Sequence, residues 1–521
     1  MPLSLFRACL FVLSGCLYAG MVAASGDASA PAAAEQGTAS PPAIRQASTE
    51  IRQALETVQQ TPGSFPAVAA VIVHGADDPW IFVHGQARAD RAGQADRHTL
   101  FYIASQTKSF MGLLAAVLDR KGVLPLDTTL AQVWPGLALP DPADAGRITM
   151  ADLLSHQEGL RTDTLNLVTA YIRDVPAADY PHLLASETRT RAAGFRYSNL
   201  GDLIYGAALE ARTGRGWHDW LDAEVLQPLK LDHTVSRTST VAPALLSWNH
   251  QWDGARWHAE APKPDALMHA AGGLMASAED MATWMRANLS PATDGTIDPK
   301  AFRTAQQPLA RANLSDHEID CDGYSLGWYT CTYKGEHVLM HPGGYAGAVS
   351  VTVLVPAADA GMSLMVNSDS EMEGLELEFM KAFIGMVTGK SGETERLRKA
   401  AAAYPARLAG KTRQRLDAIA KGRADPAWGD WTWHPNAPAL QAFAGRFDNE
   451  TFGTMHLDLG KDGIEARIGA LHLSLEPASP GLFGAVAGPL EPPEPLQFDA
   501  ERRTFRWKEH VFMRSTRADA D

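Results

Sequence analysis

Cysteine is scarce in this chain: four occur in 521 residues, and two of them, Cys9 and Cys16, sit in an apolar N-terminal stretch. That excludes a disulfide-dense small-domain scaffold. There is no long run of lysine or arginine, and the formal net charge is −14, which argues against nucleic acid or an anionic membrane as partner. Beyond the N-terminus no apolar run reaches the roughly 20 residues that span a bilayer. Metal-ligand patterns are missing too. The triplet His156, Gln157, Glu158 has no accompanying cysteines and no His-Glu-x-x-His, so neither zinc nor another cofactor is expected.

What is present describes a soluble globular protein, with 45% apolar and 20% charged residues. At this length a single core does not suffice, and two or more domains are expected. Residues 1–24 read as a secretory signal: Arg7, an apolar segment from Ala8 to Ala24, and small residues around Ala24 and Ser25 for cleavage. The run Leu13, Ser14, Gly15, Cys16 also matches a lipobox. The apolar segment continues past Cys16, however, which favours ordinary cleavage and a periplasmic or secreted product over a lipoprotein anchored through Cys16 or an uncleaved membrane anchor. Residues 25–48, rich in Ala, Ser, Pro and Gly, are expected to form a disordered leader.

From residue 49 the spacing of Ile51, Leu55 and Val58 predicts a helix. Residues 65–74 and 80–85 read as strands joined by a hairpin at 75–79. Helices are predicted after Ser105, after Thr149 as N-cap, from Asp202 to Thr213 and after Ser277 as N-cap. Residues 324–328, 337–344, 350–355 and 361–367 read as strands, and 371–387 as a closing helix. Strands at both ends with helices between them imply an α+β domain over 49–390, an antiparallel sheet flanked by helices with a helical subdomain. Residues 391–437 read as a helical connector. Residues 438–516 alternate in short segments broken by Gly, Asp and Pro, which suggests a small antiparallel barrel or sandwich. In an oxidising compartment Cys321 and Cys331 are candidates for a disulfide. If the strand around 324–330 is extended, at about 3.3 Å per residue, it holds them apart. A bridge then needs Cys321 to fold back, and the pairing stays open.

Ser105 and Lys108 share one helix face at i and i+3, beside the free N–H groups and positive end of a helix N-terminus. No second Ser-x-x-Lys occurs in the chain. With Tyr197, Ser198 and Asn199 as a second motif and His341, Pro342 and Gly343 as a third, the chain resembles the serine β-lactamase-like superfamily, in its class C β-lactamase, DD-peptidase and family VIII esterase branch. The resemblance covers roughly residues 50–385, and residues 440–514 resemble the lipocalin-like β domain often appended in that superfamily.

The resemblance implies an acyl-enzyme mechanism. Ser105 is then the nucleophile, Lys108 its proton-sharing neighbour and Tyr197 the partner base. A free phenol titrates near pH ~10, so that role needs adjacent positive charge, with Lys108 and His341 as its sources. Asn199 would hold Lys108 and a substrate carbonyl. The oxyanion would sit between the N–H groups of Ser105 and Gly344, with His341 and Gly343 beside it. Where the family has a lysine, His341 makes the charge conditional on pH. Pro342 removes a hydroxyl and an N–H at a place that helps bind the β-lactam carboxylate, and it implies an open strand edge. Weak β-lactam turnover is therefore expected, with an ester or a D-amino-acid peptide as the favoured acyl donor. A weak β-lactamase, or a non-catalytic relative that binds a cell-wall or protein partner, is the alternative. The Gly323-x-Ser325-x-Gly327 form of a nucleophile elbow is discounted, because strand rather than helix follows it.

Overall fold

The computed structural model describes residues 41–516 apart from 294, 317, 370–373 and 461–462. The expected signal segment 1–24 and the leader to residue 40 lie outside the described residues. Helix α1 (Pro41–Gln59) begins well before residue 49, so 41–48 is not disordered leader. The reason is its apolar stripe: Ala47 is buried together with Ile51, Leu55 and Val58, which carries the helical spacing one turn further back.

An eight-stranded antiparallel sheet frames the first domain. Strands β1 (Ala67–His74) and β2 (Trp80–Gly85) come from its start. The others are β3 (Ala310–Asp316), β4 (Ile319–Tyr324), β5 (Tyr329–Tyr333), β6 (Glu336–Tyr345), β7 (Ala348–Val355) and β8 (Ala360–Val366), in the order β3-β4-β5-β6-β7-β8-β1-β2. The first strand thus closes onto the last, with Val68 opposite Val366. In β1, Ala67, Ala69, Val71 and Val73 enter one core while Val68, Ala70 and Ile72 enter another. Coverage on both faces explains why its apolar run is unbroken rather than alternating.

Helices α2 (Thr107–Arg120), α3 (Leu200–Thr213) and α4 (Ala278–Leu289) belong to the first core. Helix α5 (Leu375–Val387), with α1 and α6 (Glu393–Arg423), builds the second. Leu397, Ala401, Tyr404 and Leu408 of α6 are buried there. Their spacing makes the first half of α6 a packed layer of the sheet rather than a connector. Among the described residues no helix is long and apolar enough to cross a membrane.

Cys321 and Cys331 form a disulfide. The expected strand across 324–330 is instead a reversal: β4 ends at Tyr324, β5 begins at Tyr329, and Gly327 takes φ +84° in the turn, a conformation open to glycine. Folding back brings Cys321 opposite Cys331 in the ladder.

Residues 445–514 form a closed antiparallel barrel of eight strands, β9 (Gly445–Asn449) to β16 (His510–Arg514), sealed by Phe447 opposite Arg514. Closure leaves no free sheet edge. Phe447, Phe483, Phe498, Phe505, Trp507 and Phe512 are buried inside, each contributing on the order of 2 kcal/mol of burial. The barrel docks on the first domain near residue 172. There the Ala470 N–H donates to the Ile172 carbonyl (2.8 Å) and Arg173 Nη2 donates to the Thr451 carbonyl (2.8 Å).

Candidate active site

Ser105 sits in a single 3-10 turn, Ala104–Gln106, that runs directly into α2. Ala104 before it has φ +48°, a backbone conformation that costs a non-glycine residue energy and must be held by its surroundings. The holders are visible. Ser350 Oγ on β7 donates to the Ile103 carbonyl (2.9 Å), and the Ile103 N–H donates to the Leu274 carbonyl (3.1 Å). A Cβ on Gly343 would lie 2.2 Å from that same Ile103 oxygen, so only glycine lets β6 approach the turn.

Lys108 is buried, and its ammonium meets three acceptors: Ala271 carbonyl O at 2.7 Å, Asn199 Oδ1 at 2.8 Å and Ser105 Oγ at 3.3 Å. An ammonium has three N–H bonds, so the geometry suits the charged form. Asn199 occupies the N-cap of α3 but caps nothing with its side chain. Ser198 Oγ accepts the Leu200 N–H instead (3.0 Å), which releases the Asn199 amide to Lys108. Gly201 lets α3 come close, since a Cβ there would lie 2.0 Å from the Leu153 carbonyl oxygen. Helix Met150–Leu154, which carries that carbonyl, is capped by Thr149, whose Oγ1 accepts the Asp152 N–H (3.1 Å).

Tyr197 is half-buried, with its ring centroid 4.9 Å from Lys108 Nζ. Its ring lies 4.7 Å from His156 and 6.0 Å from His341. The structure thus brings Ser105 and Lys108 together with Tyr197 and Asn199 from a second segment, and a third segment sets Gly343 against the serine turn. Gly344 is exposed, and open space surrounds its Cβ position. Pairing with β5 stops at Met340 opposite Tyr329, so 341–345 has an open edge where Pro342 leaves out a donor.

His341 departs from its expected role as a conditional cation. It is 1% exposed, and burial, then the Lys108 charge, push its pKa down to about 3. A carbonyl only accepts, so the 2.6 Å contact of Nδ1 with the Pro342 oxygen puts the proton on Nδ1. Nε2 then accepts from Tyr324 O–H at 3.1 Å. His341 is neutral, and the positive charge beside Tyr197 comes from Lys108.

Several neighbours of the site were not placed there by the sequence. Tyr324, inside the discounted elbow, is buried against His341, and its phenol is raised well above its usual pKa by burial. Ser325 of that motif donates to the Trp328 carbonyl (3.1 Å) in the β4–β5 turn. A Cβ on Gly327 would lie 2.1 Å from the Lys108 carbonyl oxygen, so this turn clamps α2. His156 is buried among Tyr197, Tyr324 and Phe195 and held neutral by burial and by Lys108, whereas Glu158 pairs with Arg191 at 2.5 Å. Asp202, one turn after Asn199, is raised to about 7 by burial, against the pull of Lys108. Lys263 lies 3.7 Å from the ring centroid of Tyr345 and within 6 Å of Tyr102 and Tyr171. No local pattern links these positions.

Residues 52–383 match the family model described as Beta-lactamase. The chain is similar to Protein flp of Staphylococcus aureus (strain NCTC 8325 / PS 47), 22% identical over 334 residues, covering 62% of this chain and 64% of flp. It therefore spans a little under two thirds of that relative's length. It is also similar to Penicillin-binding protein 4 of Amycolatopsis lactamdurans, 26% identical over 329 residues, covering 60% of this chain and 83% of that protein. Among solved structures, the octameric penicillin-binding protein homologue from Pyrococcus abyssi has a TM-score of 0.56 at 14% identity, covering 90% of this chain and all of that one. That is a likeness of fold. With a family model spanning most of the first domain, the chain belongs to the Beta-lactamase family, whose members are generally serine hydrolases.

Proposed function

We propose that the protein is a serine hydrolase that forms an acyl-enzyme on Ser105 and cleaves an ester or a D-amino-acid-containing peptide amide. The observation that carries this reading is the three-acceptor environment of Lys108, with Ser105 Oγ as one acceptor. In this arrangement Lys108 is the ammonium that donates to the serine oxygen. The base is then Tyr197, whose phenolate is favoured by the cation beside its ring. As Tyr197 takes the proton, Ser105 Oγ attacks the acyl carbon. The oxyanion meets the N–H of Ser105 and that of Gly344, which lies on the open-edge side because alternate residues of a strand direct their N–H groups to the same side. The proton passes to the leaving group, and water then attacks the ester by the same route in reverse.

A neutral His341 followed by Pro342 supports the substrate class, since neither supplies the fixed positive charge or the hydroxyl that anchors a β-lactam carboxylate. The Cys321–Cys331 disulfide supports a periplasmic or secreted location for the mature protein. The test is a fluorophosphonate mass shift present in wild type and absent in Ser105→Ala, followed by a panel of p-nitrophenyl esters, D-Ala peptides and cephalosporins. Turnover of esters or D-peptides well above cephalosporins is expected. A non-catalytic binding role replaces this reading if no adduct forms and none of the three is hydrolysed.

A further inference from the structure

Three short strands form a small sheet apart from the large one: Phe101–Tyr102, Met275–Ala276 and Thr234–Val235, with Ala276 opposite both Phe101 and Thr234. Its antiparallel pairing brings three side chains to one end. His98 comes before the first of these strands, His233 immediately before Thr234, and Glu279 just after Ala276. Their ligating atoms all lie within 4.8 Å of one another. His98 Nδ1 is 3.1 Å from Glu279 Oε2, and the rings of His98 and His233 have centroids 4.7 Å apart.

The backbones that carry them are interlocked. The His233 N–H donates to Asp280 Oδ2 (2.8 Å), the Ser277 N–H to the His233 carbonyl (3.0 Å), and the Glu279 N–H to the Arg97 carbonyl (3.3 Å). The His98 N–H donates to Asp96 Oδ1 (2.9 Å). Asp280 is occupied by these bonds and by Thr234 Oγ1 (2.8 Å). Arg97 lies 3.9 Å from the Oε1 side of Glu279, which leaves Oε2 for the cluster.

We propose that His98, His233 and Glu279 bind one divalent transition-metal ion, with Zn²⁺ the best match. Two imidazoles and a carboxylate are a borderline donor set that suits zinc and disfavours calcium or magnesium, which take oxygen ligands. Tetrahedral zinc with bonds near 2.0–2.1 Å needs ligand atoms about 3.4 Å apart. The His98–Glu279 pair, at 3.1 Å, is close to that spacing, and the His233 ligand atom lies within 4.8 Å of both. His98 Nδ1 is buried without a hydrogen-bond partner, while the His98 and Glu279 side chains are 41% and 42% exposed, so water can complete the shell. The positive end of α4 opposes a cation here, and the Glu279 carboxylate offsets it. The ion joins the ends of the three strands, one of which leads through Ile103 into the Ser105 turn. The site shares no residue with the candidate catalytic group, so its role is structural.

The test uses tag-free, chelator-stripped full-length protein dialysed against Zn²⁺ and read by metal analysis, together with the visible spectrum of the Co²⁺-loaded form. Wild type is expected to retain one equivalent, to show Co²⁺ bands of a low-symmetry nitrogen-ligated site, and to melt roughly 2–5 °C higher at saturating zinc. The double variant His98→Ala/His233→Ala is expected to lose at least tenfold in affinity and to lose the melting shift, while still labelling at Ser105. Glu279→Gln, which keeps shape and removes charge, serves if the double variant fails to fold, and is expected to weaken binding in the same direction. Equal zinc content and melting shift in wild type and variants would overturn the proposal, as would no binding by wild type at ~100 μM free Zn²⁺, far above the dissociation constants of built zinc sites.

Discussion

Tyr171 stacks on Tyr345 with ring centroids 5.5 Å apart, and the next residue, Ile172, accepts a hydrogen bond from Ala470 of the barrel. Tyr345 directly follows the open-edge residue Gly344. One of the contacts of the C-terminal barrel with the first domain thus falls on the residue after Tyr171, whose ring packs on a side chain next to the proposed oxyanion position.

That contact is expected to be felt in turnover. Gly469 has φ +54°, and a Cβ there would lie 2.0 Å from the Ile172 oxygen. Gly469→Val should push the barrel turn off residue 172 and lower kcat/KM severalfold. Gly453→Val, at a barrel glycine with φ +90° and open space around its Cβ, carries the backbone strain alone. Kinetics of the pair on one ester substrate, with melting curves, separates docking from strain. Equal kinetic effects would show that the Gly469–Ile172 contact plays no special part in turnover.

Asn199→Leu keeps the volume but removes one acceptor from buried Lys108. An unsatisfied buried donor costs about 1–3 kcal/mol, and losing the arrangement of a proton-transfer pair costs on the order of 100-fold in rate. Both are expected: a lower urea midpoint, and a fall in kcat larger than any change in KM.

Gly343 and Gly344 should respond differently. Gly343→Ala drives a Cβ into the Ile103 carbonyl and Ser350 Oγ, and is expected to cost about 1–3 kcal/mol as overpacking and to displace the Ser105 turn, abolishing fluorophosphonate labelling. Gly344→Ala meets nothing within 4 Å and should leave the melting temperature within about 2 °C of wild type. Any loss of activity in that variant reports on the substrate's path.

His341 ties stability to pH. Its pKa is about 3 in the folded protein against about 6.5 when unfolded. Between these values the unfolded chain binds a proton that the folded one does not, so stability is full above pH ~6.5 and declines as pH falls toward 3. From pH 7 to pH 5 this residue alone removes about 2 kcal/mol, and His156, also depressed by burial, acts in the same direction. Urea unfolding at the two pH values should show the loss, and His341→Gln should make it smaller. The same burial predicts no His341 inflection in kcat/KM between pH 5 and 8.

The residues alone carry the apolar runs of β6 to β8, the caps at Thr149 and Ser277, and the apolar stripes of the helices, because these depend on spacing within a few positions. They also carry Ser105 and Lys108, which share a helix face by periodicity, and the order of the three motifs. The family match to residues 52–383 agrees with that reading. What the chain does not show locally is which partners distant side chains find. Asn199 reaches Lys108 across 91 positions, and it does so because Ser198 takes over the cap. His341 reads in the sequence as a titratable cation, yet burial beside Lys108 keeps it neutral. Cys321 pairs with Cys331 because Gly327 turns an apparent strand back on itself, and helix α6, polar enough to read as a tether, hides one stripe against the sheet. Desolvation, turn geometry and long-range pairing arise only when segments far apart in sequence meet, and only the tertiary structure decided them.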